Sequence, residues 1–259
     1  MDKYPFIISC LPEIRIGAKP EISFQEVLDL LSLNCSSQDQ KRVSQLLLLV
    51  DIDNIKAFWL GLPLNSAGTM SAKEIEEALL VEDFLPPFFI DFLDRYETTE
   101  ERLAHFPAVY VSVYEQMEGE AEGLVRDYYS IERQLRLVLA ALRAKALGRD
   151  LVREFQFEDV HDPFVMQILV QKDAADYTAP QEYQLLQEIF EKYRSDPMEL
   201  YRSLLEYRFQ KIMELEEQYQ PFTMDRILGF LARLMIVEMW SQLDTPKGLS
   251  FIDDLSKNG

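Results

Sequence analysis

Apolar positions recur along this chain at three- and four-residue intervals, the spacing of helices that each bury one face. Ile131, Leu135, Val138, Leu139 and Leu142 share one such face. Arg126, Arg133, Arg136 and Arg143 fall on a neighbouring stripe, so the predicted helix carries a basic ridge beside its core side. Tyr201, Leu204, Leu205, Arg208, Phe209, Ile212 and Leu215 mark a second long amphipathic helix. Over residues 224–243 the pattern is apolar nearly all round, which predicts a helix buried between others. Residues 4–10 read as either a short strand or an extended packing segment.

Polar punctuation cuts this pattern into elements. Residues 23–26, 71–74 and 98–101 have the form of capping boxes, in which a hydroxyl and a carboxylate satisfy orphan amides at a helix start. Asp162-Pro163 and Asp196-Pro197 each pair an N-cap with proline at the first helical position. Residues 178–181 look like another start. About ten to twelve helices result, and the longest proline-free run, residues 108–162, is the expected spine.

A short motif repeats within this pattern. Asp51-Ile52-Asp53-Asn54-Ile55-Lys56 is echoed by Glu132-Arg133-Gln134-Leu135-Arg136, which continues through Leu139, Leu142, Arg143 and Lys145 to Gly148. A degraded third copy falls in residues 238–249. Each copy is expected at the head of a helix. The repetition predicts one domain of pseudo-repeats, roughly 1–105, 106–178 and 179–259.

Composition sharpens the class. Nine glycines in 259 residues are about half the average usage, and the abundant Leu, Glu, Gln, Arg and Ala are good helix formers. An all-α fold follows. Cys10 and Cys35 lack metal-ligand spacing and read as reduced, buried thiols. No signal peptide is expected, and no apolar stretch approaches the roughly 20 residues of a membrane span.

The net charge of −19 argues against nucleic acid or an anionic lipid surface as partner. Its distribution is uneven. Residues 70–122 hold fourteen acids against Lys73, Arg95 and Arg102, whereas residues 126–153 hold seven bases against Asp127, Glu132 and Asp150.

Catalytic motifs are scarce. The two histidines, His105 and His161, lie outside any ligand-spaced pattern, and no glycine-rich phosphate loop or nucleophile elbow is present. No catalytic residue, metal or cofactor is therefore expected. One motif points elsewhere: residues 46–53 resemble the strand and D-x-D sequence of haloacid-dehalogenase-type phosphatases. That resemblance would make Asp51 the nucleophile and Asp53 the general acid beside Mg²⁺. The family carries Thr or Val where this chain has Ile55, and it needs strands alternating with helices. Glycine poverty and helical periodicity oppose it.

Asp51-Ile52-Asp53-Asn54-Ile55-Lys56, followed by Leu60-Gly61, resembles the repeated D-x-x-N-[IL]-K helix of the C-type (or d-type) central-stalk collar family of V-type and A-type rotary ATPases. Leu135-Arg136 through Leu142-Arg143-Ala144-Lys145 and Gly148 is similar to its second copy, and residues 221–231 to the opening of its third. Residues 4–13 and 236–249 resemble an uncharacterised bacterial family more specifically, over nearly the whole chain. The genes of that family accompany V-type ATPase genes in chlamydia-like and Bacteroides-like bacteria. Gln134 stands where the collar family has Asn, the third copy lacks the Asn-Leu-Arg core, and the chain is short enough to lack peripheral helices.

The resemblance implies a funnel-like, pseudo-threefold collar without catalysis, seated between the central shaft subunits and the membrane rotor ring. It implies a cytoplasmic location, peripheral to the inner membrane through the ATPase. The ridge of Arg126, Arg133, Arg136 and Arg143 then either meets acidic loops of shaft or ring, or pairs with this protein's own acids. Asp51, Asn54, Lys56 and Lys145 are expected to secure local helix packing. A helical adaptor or assembly factor for the same machine is the alternative.

Overall fold

The computed structural model describes residues 3–81 and 84–243, and these are all-helical: α1 to α12 with one short 3-10 turn and no strand among the described residues. Residues 244–249 of the third motif copy lie outside them. Local sequence sets the helix starts. Ser23 caps α2 (Phe24–Asn34) and Thr98 caps α6 (Thr99–Glu120) in reciprocal boxes with Glu26 and Glu101. Ser71 and Glu74 exchange the same bonds ahead of α4 (Ala72–Val81). Asp162 caps α9 (Pro163–Leu169), and Asp196 caps α11 (Pro197–Glu217). A further box, Ser36 with Asp39, opens α3 (Ser37–Leu60). The start expected at residues 178–181 is realised as the 3-10 turn Gln181–Tyr183, which leads into α10 (Gln184–Tyr193).

Three expectations need correction. Residues 4–10 are not extended; they belong to α1 (Lys3–Cys10), which buries Ile7. Nearly every residue there is apolar, and such a short run carries no period to separate strand from helix. Cys10 is exposed and Cys35 partly exposed, because one ends α1 and the other is the C-cap of α2. The motif copies do not open helices. Residues 51–56 sit in the C-terminal half of α3, and residues 132–136 lie mid-way along α7 (Leu124–Ala146).

Apolar burial forms two cores joined by α7. The first gathers α1 to α6, the start of α7, the C-terminal part of α11 and α12 (Met224–Leu243). α5 (Pro87–Arg95) supplies Phe89 and Phe92, which cluster with Phe106 and Trp59. The second takes α7 from Leu135 onward, α8 (Leu151–Glu154), α9, α10 and the residues Leu204 and Tyr207 of α11. Ile131 packs against both. The expected spine is thus α7, which touches α3, α6, α8, α9, α10, α11 and α12.

α12 is buried around its circumference, as its pattern requires. A polar clamp fixes it to α11. Glu216, 7 % exposed, meets Arg233 at 2.7 Å and Arg226 at 3.5 Å. Gly229 makes room for that carboxylate: a Cβ there would stand 2.7 Å from Glu216 Cγ. Gly229→Ala is therefore expected to cost about 2 kcal/mol by overpacking a side chain held by two arginines. Chemical denaturation measures it, and an unchanged midpoint would contradict the clamp.

Candidate functional site

The first motif copy does two jobs on opposite sides of α3. Asn54, 2 % exposed, accepts from Asn65 N at 2.7 Å and donates to Asn65 O at 2.9 Å. Asp51 accepts from Thr69 N at 2.6 Å and from Thr69 Oγ1 at 2.8 Å. Together they pin the loop that follows α3. In the second copy Lys145 does similar work, donating to the carbonyls of Lys172 and Ala174 at 2.6 and 2.5 Å. These three residues hold local structure. Residues 46–53 are helical throughout, so the strand that the phosphatase motif requires is absent there.

Asp53 and Lys56 face the other way. Asp53 accepts from the Tyr110 hydroxyl of α6 at 2.7 Å. Lys56 lies 5.5 and 5.7 Å from the ring centres of Phe106 and Tyr110, and Arg136 of α7 stacks on Tyr110 at 3.9 Å. Behind them Arg208 of α11 pairs with Glu132 at 2.9 Å, Glu132 being 8 % exposed. Charged groups from α3, α7 and α11, with aromatic walls from α6, thus meet where the two lobes join.

Asp53 keeps an exposed surface, yet desolvation by its surroundings raises its carboxyl above the usual range, against the opposing pull of Tyr110, Lys56, Arg208 and Arg136. The carboxylate keeps contact with water while the protein packed around it, Tyr110 among it, takes away part of its hydration. Desolvation likewise lowers Lys56, and Arg136 lowers it further by repulsion. Arg143 is exposed and still lowered by desolvation. Arg208 is held upward despite its burial, chiefly by Glu132. We refer to this charged cluster as the basin.

A raised carboxyl has a stability consequence. Asp53 adds most to the fold below its unfolded pKa, and that contribution is lost as pH rises through the higher folded value. Asp53→Asn is therefore expected to stabilise the protein at neutral pH, with the gain fading towards acid. Thermal melts from about pH 3 to about pH 8 follow it. A gain that does not change with pH would refute the desolvated carboxylate.

The basic ridge divides. Arg136 belongs to the basin, and Arg143, seven residues further on, continues the same face of α7. Arg133 is instead paired with Glu158 at 3.1 Å and Asp162 at 2.9 Å, tying α7 to the start of α9. Arg126 directs Nε to the Ala121 carbonyl at 2.9 Å, at the bend between α6 and α7. Sequence spacing put all four on one stripe; the acids of the residue 158–162 loop decided which were consumed. Tyr110 and Arg208 went unnoticed as site residues. An Arg among the apolar positions of the α11 pattern was the available signal.

Among the described residues no group of three or more His, Cys, Asp or Glu could hold a metal ion, and no helix is long and apolar enough to cross a membrane. Fold and site together define a protein that is all-helical over the described residues, with two apolar cores and a charged cluster where they meet along α7. The chain belongs to the family described as "Protein of unknown function (DUF2764)", which it matches over residues 1–258. A Chlamydia muridarum protein is 32 % identical over 263 residues, covering 99 % of this chain and 98 % of the relative. Proteins of Chlamydia trachomatis and Chlamydia pneumoniae are 30 % and 31 % identical, with the same coverage of both chains. All three are described as uncharacterized proteins. No solved structure matches.

Proposed function

We propose that this chain is a non-catalytic collar of a V-type ATPase, coupling the central shaft to the membrane rotor ring. The reading takes over the pseudo-threefold, funnel-like arrangement from the resemblance to the C-type collar family. The observation that carries it is the basin, a charged cluster where two apolar cores meet along one long helix. Buried interfaces between long helices transmit load because close-packed interiors yield little. The relatives come from Chlamydia, one of the bacterial groups to which the resemblance points. A location on the cytoplasmic side, held to the membrane only through the complex, belongs to the same proposal.

Complexes purified from cells depleted of this chain are then expected to hydrolyse ATP without moving ions. Ion transport driven by ATP at the normal ratio in its absence would remove the reading. Exposed apolar side chains, Leu80, Val81, Phe84, Val152, Met166 and Val170 among them, favour the alternative of an adaptor or assembly factor. Such a factor would leave the mature complex.

A further inference from the structure

The basin holds cations that the chain does not neutralise. Among the described residues no carboxylate lies within ion-pair distance of Lys56, Arg136 or Arg143, in a protein with 45 acids and 26 bases. Arg136 Nη1 is buried without any hydrogen-bond partner. Its guanidinium is fixed against the Tyr110 ring, while Lys56 and Arg136 repel one another. A buried guanidinium N–H left unpaired is costly, and guanidinium is suited to bidentate bonds with carboxylates. Asp53 is the nearest counter-charge, and it is already engaged by Tyr110.

Spacing selects the kind of anion. Arg136 and Arg143 are seven residues apart on one helix, so they share a face and stand about 10.5 Å apart along the axis. One carboxylate or phosphate group cannot reach both. Asp53 beside Lys56 and Arg136 also disfavours a compact dianion. Two single charges about 10 Å apart meet the requirement, as on a helix with acids at i and i+7 or on a polyproline-II segment with acids at i and i+3.

We propose that the basin binds an acidic polypeptide segment, whose carboxylates pair with Arg136 and Arg143 while Lys56 adds attraction. This does not depend on the collar reading, because it concerns the purified chain alone and would hold for an adaptor equally.

Fluorescein-labelled deca-glutamate, followed by anisotropy at about 20 mM salt where screening is weak, is the test. The protein's net charge of −19 opposes general uptake of this polyanion, so saturable binding marks a local basic site, and the variants place it. Arg136→Gln with Arg143→Gln is expected to weaken binding about tenfold or more, the loss of two charge-assisted contacts. Arg143→Gln alone, at an exposed residue that makes no hydrogen bond, keeps the fold and is expected to weaken it about threefold. Arg149→Gln, at an exposed residue beyond α7, leaves it unchanged. Absence of saturable binding, insensitivity to Arg143→Gln, or displacement of the peptide by equimolar inorganic phosphate would each overturn the proposal.

Discussion

Arg208→Leu is expected to lower the melting temperature by roughly 10 °C, corresponding to roughly 3 kcal/mol or more in a chain of this length. The cause is the partner left behind. Glu132 is 8 % exposed, and without Arg208 its carboxylate is buried against Tyr128 and the start of the basin with no cation beside it. Adding Glu132→Leu is expected to recover most of the loss, because an apolar pair of similar size avoids the desolvation of both charges. A double-mutant cycle reads the coupling directly. If the single and double variants melt together, the pair is not what joins α7 to α11.

Asn54→Ala carries the second large effect, about 2–3 kcal/mol. It removes a side chain that satisfies both the N–H and the C=O of Asn65 from a nearly inaccessible position. The freed loop should become a site of early proteolysis within residues 62–70, although α3 itself persists. Gly68 reinforces the point, since a Cβ there would overlap the Asn54 amide. Limited proteolysis with mass mapping of the first cut checks it. A first cut elsewhere, with unchanged stability, would show that the motif does not serve the loop. Asp51→Asn, which retains an oxygen able to accept from Thr69, should cost less.

Helix identity was legible because local rules and periodicity agreed. The capping boxes at Ser23 and Thr98, the Asp-Pro starts, and the all-round apolar α12 each specify an element without reference to anything distant. Residues 4–10 failed because eight residues of α1 are too few for a period to register. The basin was half legible. Asp53, Lys56, Arg136 and Arg143 all lie in segments that the repeated motif singled out, but spacing along one helix cannot show which arginines another loop will neutralise. Glu158 and Asp162 took Arg133 out of the ridge, and nothing within α7 announced it. Tyr110 could not be foreseen, since its meaning comes from Asp53, 57 positions away.

Stoichiometry in the native complex bears most directly on the collar reading. The chain would be tagged in its host, membranes solubilised in mild detergent, and partners quantified by mass spectrometry. One copy per complex, recovered with catalytic head, shaft and ring subunits, is the expected result. Recovery of the protein free, with none of the ATPase subunits, would contradict the collar reading.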